Sequence, residues 1–285
     1  MNPLFGPSGN SDSFKTKKYK GTPDVPRYIN DMGLDAYEYQ CGRGVNISLE
    51  KATEFGEIAK NAGVYLSLHA PYYISMSSTE EEKRDNSINY ILSSARAVNA
   101  MGGTRVIVHT GSCAKISREE ALGLALDTMK KAISALDGEG LGNIRICPET
   151  MGKINQLGTL DEVLTLCELD ERLLPCIDFG HLNARTLGGL KSSEDYENIL
   201  DQVENRLGSS RAHEFHSHFS KIEYSAGGEK RHLTFEDTTF GPDFEPLMEL
   251  VYKRSLHPVF ICESAGTQAE DAKIMRNYYY EKAGK

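Results

Sequence analysis

Six side chains that commonly bind metal ions each stand at or beside the end of a short apolar run. Three are imidazoles and three are carboxylates: His69, His109, Glu149, Asp178, His218 and Glu263. A set without thiolates that mixes imidazole and carboxylate favours Zn, Mn or Fe over Ca or Mg. A single catalytic zinc needs about three protein ligands and an open position. Two further histidines, His181 and His232, extend the set, so the residues predict more than one ion.

Asp178 and His181 lie three residues apart in the segment DFGH, directly after a strand-like run. Such a turn could supply ligands to two neighbouring ions from one short segment. A carboxylate can bridge two ions, whereas an imidazole ordinarily does not. Clustered ions about 3.5–4 Å apart activate a water and stabilise both oxygens of an in-line displacement at phosphorus. The ligand set by itself therefore indicates phosphoester hydrolysis.

Eight short apolar runs precede or contain these side chains. The predicted strands are PLFG near the start, 34–39, 64–69, 104–109, 143–149, 174–178, 212–218 and 258–263. Longer helical patterns separate them, near 48–62, 80–101, 117–137, 159–169, 194–207, 243–254 and 268–284. This alternation predicts parallel βαβ units, and eight strands predict an α/β fold with a single (β/α)8 TIM-barrel domain over residues 1–285. Active sites of that fold lie at the C-terminal ends of the strands.

The connection 219–242 is longer than the others and more mixed in Gly, Lys, Arg and His. Long connections of this kind are commonly functional. We expect this one to fold over the mouth of the barrel.

Composition limits the classes of function and the location. The chain has no run near the roughly 18 apolar residues of a membrane span, and its start lacks a signal peptide. A cytoplasmic protein without a membrane partner or an obligate protein partner is expected. The six cysteines show no CxxC spacing and are interpreted as buried free thiols. The net charge of −9 argues against a broad basic face for nucleic acid, so any polyanion must be held locally.

The motifs around the predicted ligands resemble those of the endonuclease IV family in their order and spacing. They are HAPYYISMSS, VIVHTGSC, CPETMGK, CIDFGHLNA, HFSKIE, KRHLTF and CESAG, and they span residues 64–266. The resemblance implies a barrel with three zinc ions that cuts the DNA backbone on the 5′ side of an apurinic or apyrimidinic site in base excision repair.

The resemblance also implies which residues hold each ion. His69, His109 and Glu149 would hold the first, Glu149 would bridge to a second held by Asp178, His218 and Glu263, and His181 and His232 would hold the third. Glu149 and Glu263 are the predicted catalytic carboxylates. A hydroxide between the first two ions would attack phosphorus, while the ions offset charge on the phosphate and on the leaving 3′ oxygen.

Three further positions are predicted to contact DNA. Tyr72 stands where the family presents an aromatic or polar side chain to the DNA, and Arg43 lies in a loop that the family uses against the backbone. Lys230 stands two residues before His232, where the family has an aspartate ligand of the third ion. We expect this ion to be weakly held, or its site to be completed by Glu229 or a water. An inward-pointing Lys230 would contact the scissile phosphate.

Several positions depart from the family or stay open in the sequence. Glu38 has no counterpart among the family ligands and is interpreted as an inward-facing structural carboxylate paired with a barrel Lys or Arg. Thr150 replaces the Asn that usually follows the bridging glutamate. His213, His216 and His218 alternate along one predicted strand, and a period of two would put them on one face. We choose His218 as the ligand because HFSK fits the motif, with His216 as the alternative.

A sugar isomerase or epimerase of the xylose isomerase-like superfamily is the alternative function. Such enzymes often use one ion held by Glu, Asp, His and Glu, and this chain supplies that set in Glu149, Asp178, His218 and Glu263. The acidic net charge favours the isomerase, whereas the additional histidines favour the nuclease. A metal-stabilised binding protein without turnover is a third possibility. A count of bound ions would separate the one-ion isomerase from the nuclease.

Overall fold

Eight parallel strands form the centre of the molecule. The computed structural model describes residues 2–113 and 115–284. The barrel strands are β1 (Leu4–Pro7), β2 (Ala36–Gln40), β3 (Tyr65–His69), β4 (Arg105–Val108), β5 (Arg145–Pro148), β6 (Cys176–Asp178) and β7 (His216–Phe219), followed, after a hairpin of β8 (Lys221–Ser225) and β9 (Gly228–Leu233), by β10 (Val259–Cys262). Each predicted strand is present, although several are shorter than predicted.

Parallel pairing runs around the whole ring of strands. One ladder joins β2, β3, β4 and β5, and the other joins β6, β7, β10 and β1. Single parallel bridges connect the two ladders, between Ser8 and Glu38 at one seam and between Glu149 and Cys176 at the other. The predicted (β/α)8 barrel is confirmed, and the C-terminal ends of its strands meet at one rim.

Helices cover the outside of the strands. They are α1 (Asp12–Thr16), α2 (Val25–Met32), α3 (Leu49–Ala62), α4 (Glu81–Ala100), α5 (Arg118–Gly138), α6 (Leu160–Cys167), α7 (Phe179–Arg185), α8 (Ser193–Glu214), α9 (Glu245–Lys253) and α10 (Gln268–Lys282). The side chains of Ser48, Ser117 and Thr159 accept the N-terminal cap bonds of α3, α5 and α6. The short helices α1, α2 and α7 were not predicted; α1 and α7 span two turns or fewer, which leaves little helical period to detect. Within the described ranges, no helix combines the length and the apolarity that crossing a membrane requires.

The predicted strand over 212–218 begins too early. Helix α8 continues to Glu214, and β7 starts at His216. Gly208 has a φ of 81° and breaks α8, so the last turn of the helix runs in a new direction. His213 therefore lies on a helix, and the prediction that it shares a strand face with His216 and His218 is wrong.

The inside of the barrel combines apolar and polar layers. Two small apolar clusters fill part of it, one of Ile107, Cys147, Leu174 and Cys176 and the other of Ala36, Val259 and Ile261. The side chains of Glu38, Ser67 and His216 are fully buried in the same interior. All six cysteines are free thiols, five of them buried as predicted, whereas Cys113 is partly exposed.

The connection 219–242 contains the β8–β9 hairpin. Its turn residue Gly228 forms an antiparallel bridge with Lys153, in the loop after β5. Glu229 and His232 of the hairpin line the same cavity as His69 and Glu149. The expectation that this connection folds over the barrel mouth is therefore correct.

Candidate metal centre

The predicted metal ligands meet at the C-terminal end of the barrel, around a cavity of about 280 Å³. The cavity is lined by His69, His109, Glu149, His181, His232 and Glu263, among others. Asp178 and His218 lie beside these residues and are fully buried. Most of these residues come together because they end or follow a parallel strand, whereas His232 comes from the antiparallel β8–β9 hairpin.

Glu149 lies at the centre of this group. Its Oε2 atom is 3.3 Å from Nε2 of His69 and 3.3 Å from Nε2 of His109. Its Oε1 atom is 3.0 Å from Nδ1 of His218 and 3.3 Å from Nδ1 of His181. The two oxygens of one carboxylate thus face different sets of imidazoles, which is the arrangement that a bridging ligand needs.

The two oxygens of Asp178 differ in their contacts. Its Oδ1 atom accepts the backbone N–H of His181 at 2.7 Å and caps α7. Its Oδ2 atom is buried without a hydrogen-bond partner and lies 3.2 Å from Nδ1 of His181. A buried carboxylate oxygen without a hydrogen bond is costly, so a cation fits here. Ligand atoms of Glu149, Asp178, His218 and Glu263 all lie within 4.8 Å of one another.

The spacing of the donor atoms is also that of a metal site. Neighbouring donors around Glu149 and His218 are 3.0–3.5 Å apart. A tetrahedral zinc ion with bonds of about 2.1 Å separates its ligands by about 3.4 Å. The residues present therefore fit a cluster of divalent ions.

A third group of donors consists of His181, Glu229 and His232. The Nε2 atom of His181 is 3.4 Å from Oε2 of Glu229, and the two imidazole rings are 5.5 Å apart between centroids. Gly152 makes this approach possible, because a Cβ atom there would lie 2.7 Å from Cβ of Glu229. Glu229, which was expected as one of two ways to complete this site, is the carboxylate that faces these histidines.

A β-bulge explains why Glu229 takes this place. In the β8–β9 hairpin, Tyr224 pairs with Glu229 and Glu223 pairs with Arg231, so Lys230 is an extra residue on β9. Residues three apart on a regular strand point to opposite faces. Because Lys230 is inserted between them, the side chains of Glu229 and His232 lie on the same face of the hairpin.

Lys230 does not point toward the third group of donors. Its ammonium forms an ion pair with Glu223 on the neighbouring strand, and the side chain is about half exposed. The expectation of an inward Lys230 in contact with a scissile phosphate is therefore wrong. The bulge turns Lys230 outward while Glu229 and His232 share the inner face.

Hydrogen bonds orient the predicted imidazole ligands. Three rings use Nδ1 for a bond to a neighbouring oxygen: His69 to the carbonyl of Ala70 (2.9 Å), His181 to the carbonyl of Thr150 (2.9 Å) and His232 to Oγ of Ser220 (2.8 Å). Their Nε2 atoms are left for an ion. His218 has the opposite orientation, because its Nε2 is 2.9 Å from Oε1 of Glu38. Partners of this kind fix the tautomer of a metal-binding histidine.

Glu38 differs from its predicted role. It is fully buried inside the barrel, and the hydrogen-bond partners of its carboxylate are Gln40, Ser67, His216 and His218. The predicted Lys or Arg partner is wrong, because imidazoles from β7 reach across the barrel to this carboxylate. His216 lies one layer below His218, so His218 is the ring that faces Glu149 and Glu263.

Burial and charge shift the pKa values of these groups strongly. Burial raises the pKa of Glu149, but the charge of His218 and hydrogen bonds from His109, His181 and His218 outweigh it, and the pKa lies well below its usual range. Burial lowers the pKa of His69, yet the hydrogen bond and charge of Glu149 raise it to about 9. The pKa values of His181 and His218 are likewise raised, because neighbouring carboxylates outweigh burial.

These shifts predict that the chelated protein loses stability as pH rises. The folded-state pKa of His69 is about 9, whereas an unfolded histidine titrates near 6.5. A histidine whose pKa is raised by folding stabilises the folded state fully at pH values below its unfolded-state pKa. This contribution is lost as the pH rises through its folded-state pKa. We expect about 3 kcal/mol from His69 to disappear between about pH 6.5 and 9. Urea unfolding of chelated protein at several pH values measures it.

The zinc-loaded protein is the control for this measurement, since ions replace the protons on these rings. It should show no comparable loss over the same pH range. Constant or rising stability of the chelated protein would contradict the assignment.

The predicted DNA contacts lie partly together at the rim. Nε of Arg43 donates to the hydroxyl of Tyr72 at 3.2 Å, and Tyr72 lines the cavity with 48% of its surface exposed. The ring of Tyr73 lies 4.6 Å from that of Tyr72. Lys153, which was not among the predicted site residues, also lines the cavity. Its position in the motif CPETMGK was the available signal.

Two arginines hold the loop that carries Lys153. Arg185 donates from Nε to the carbonyl of Met151 and from Nη2 to the carbonyl of Lys153, each at 2.7 Å. Arg118 donates from Nη1 to the carbonyl of Ile154 at 2.9 Å. Charge-assisted bonds to backbone carbonyls keep this side of the cavity in one conformation.

The clustered imidazoles and carboxylates lie at the C-terminal rim, where the active sites of (β/α)8 barrels are found. The sequence profile of the xylose isomerase-like TIM barrel matches residues 26–278. The chain belongs to this family.

Relatives and solved structures agree with the family and differ in function. An uncharacterized protein of Methanocaldococcus jannaschii is 32% identical and covers 96% of each chain. A probable endonuclease 4 of Acholeplasma laidlawii is 26% identical over 75% of this chain and 72% of its own. A D-tagatose 3-epimerase-like protein superimposes with a TM-score of 0.71 at 20% identity, covering 90% and 92%. Endonuclease IV from Thermus thermophilus gives 0.66 at 18% identity, covering 98% and 100%. At these identities the structures show the fold alone.

Proposed function

We propose that this chain is a zinc-dependent phosphodiesterase of the endonuclease IV type, which cuts DNA on the 5′ side of abasic sites. The observation that carries the proposal is the presence of three adjoining donor groups. Two of them share Glu149, and the third is His181, Glu229 and His232. The probable endonuclease 4 relatives support the same assignment.

The side chains around the cavity have separable roles in this proposal. Ions held here would supply an activated water and offset charge on the phosphate. Glu149 and Glu263 would hold and orient the ions. Lys153 adds a positive charge beside the phosphate, while Tyr72 and Arg43 form a rim that packs against the nucleotides. The imidazole and carboxylate donors are compatible with Mn or Fe as well as with Zn.

A sugar epimerase is the second candidate function, and the scarcity of positive charge around the cavity favours it. Within the described part of the chain, Lys153 is the one Lys or Arg that lines the cavity, and the net charge is −9. A neutral sugar needs no phosphate-binding surface. Such an enzyme would use Glu149, Asp178, His218 and Glu263, but it leaves the remaining histidine groups without a role.

An assay of one preparation on abasic DNA and on a ketohexose tests the proposal. Protein purified without chelator should nick a duplex with one abasic site without added magnesium and leave an extendable 3′ hydroxyl. Activity should fall slowly in chelator, because bound ions leave slowly. An undamaged duplex is the control substrate.

Other products would contradict the proposal. Cleavage by β-elimination, which ends in an unsaturated sugar, would rule out metal-assisted hydrolysis. Conversion of a ketohexose without nicking would support the epimerase. Bound metal with neither activity would indicate a binding protein.

A further inference from the structure

We infer that Glu38 is a positioning residue that holds His218 with its Nδ1 atom toward the metal centre. Glu38 is fully buried on β2, whereas His218 lies on β7 across the barrel. The carboxylate does not line the cavity, so it acts through His218 and touches no substrate. The inference rests on the metal centre of the proposed function and is independent of which substrate that centre serves.

All four acceptor positions of the Glu38 carboxylate are in use. Oε1 accepts from Nε2 of His218 at 2.9 Å and from Nε2 of Gln40 at 3.2 Å. Oε2 accepts from Nε2 of His216 at 2.9 Å and from Oγ of Ser67 at 2.9 Å. An ionised carboxylate can only accept, so each partner atom must carry the hydrogen. His218 therefore keeps its proton on Nε2.

That placement leaves the Nδ1 lone pair of His218 for a cation. Nδ1 lies 3.0 Å from Oε1 of Glu149 and 3.5 Å from Oε2 of Glu263. The other oriented rings expose Nε2 instead, because backbone carbonyls or a serine hydroxyl hold their Nδ1 atoms. Without Glu38, the tautomer that removes the Nδ1 lone pair would be equally available to His218.

The same network reaches a second proposed ligand. Gln40 donates from Nε2 to Oγ of Ser8 at 2.7 Å, and Ser8 donates to Oε1 of Glu263 at 3.1 Å. Gln40 thus connects the carboxylate that holds His218 with the hydroxyl that holds Glu263. Two ligands of one ion are oriented by one set of hydrogen bonds.

Glu38 also contributes to the charge around the centre. With Glu149, Asp178, Glu229 and Glu263, it brings the carboxylates to five. Their total charge nearly offsets the six positive charges of three divalent ions. A neutral residue in its place would leave the buried cluster more positive.

Glu38→Gln tests the inference, because it keeps the shape and removes the charge. The side-chain NH2 group of glutamine would point its hydrogens at N–H and O–H groups that are themselves donors, so these hydrogen bonds could not form. We expect zinc affinity for one of the bound ions to fall by about 10–100-fold, with the others unchanged. Competition with a chelator measures this. Glu214→Gln is the matched control: Glu214 lies at the opposite end of the barrel, bonded to Arg145 at 2.7 Å, and its loss should leave zinc affinity unchanged.

Histidine ring ¹⁵N–¹H spectra of the zinc-loaded protein provide a readout that general destabilisation would not change. In the unmodified protein, His218 should carry its proton on Nε2 and bind zinc through Nδ1, while His69 shows the opposite pattern. In Glu38→Gln, the Nε2 proton of His218 should exchange rapidly with water.

Two results would overturn the inference. One is an unmodified His218 with its proton on Nδ1, which decides the question even if Glu38→Gln does not fold. The other is wild-type affinity for every ion in Glu38→Gln. Failure to nick abasic DNA would refute the proposed function and leave both of these measurements unaffected.

Discussion

Glu149→Gln should abolish turnover and leave the barrel folded. Both carboxylate oxygens face imidazoles, Oε2 toward His69 and His109 and Oε1 toward His218. An amide offers one acceptor and no charge, so it cannot serve two ions. Loss of an outer hydrogen-bond partner typically costs about 10–100-fold. Removing this shared ligand should therefore cost at least about 100-fold in kcat/KM.

Kinetics on abasic duplex and a count of bound zinc measure this effect together. Glu149→Gln should bind at least one ion fewer than the unmodified protein, with an unchanged circular dichroism spectrum. Glu214→Gln, a change of the same chemistry at the other end of the barrel, should retain near-normal activity. A Glu149→Gln variant with more than about a tenth of normal activity would refute the bridging role.

Exchanging Glu229 and Lys230 should remove one ion per chain. The bulge places Glu229 against His181 and turns Lys230 outward to Glu223. The exchanged chain would place an ammonium beside two imidazoles and a carboxylate on the outside. Like charge and the loss of a ligand both lower metal affinity. Elemental analysis of protein purified without chelator measures the difference.

Two variants of Lys230 test whether Glu229 or residue 230 occupies the ligand position. Lys230→Asp should not raise the number of ions, because the side chain at this position points away from the histidines. Deleting Lys230 should preserve the site, since Glu229 would then stand two residues before the histidine and share its face by ordinary alternation. Full metal content in the exchanged chain would show that Glu229 is not a ligand.

The barrel and most of the candidate metal centre could be predicted from sequence because their signals are local. Apolar runs and helical periods define the strands and helices within short windows. In a parallel barrel, the C-terminal ends of all strands lie at the same rim. The position of His69 and Glu149 at strand ends was therefore enough to predict that they lie close together. Even Asp178, which caps a helix that was not predicted, was placed by this rule.

Other features depended on the tertiary structure. Sequence spacing put Lys230 in the ligand position, but pairing with β8 creates a bulge that puts Glu229 there. Glu38 was interpreted as the partner of a basic residue, yet its partners His216 and His218 come from β7, on a different part of the barrel wall. A bulge and a contact across a barrel both depend on a second strand whose register no local pattern specifies. The sequence alone determined which strand ends carry the predicted ligands, whereas the tertiary structure decided which side chains complete and orient the candidate site.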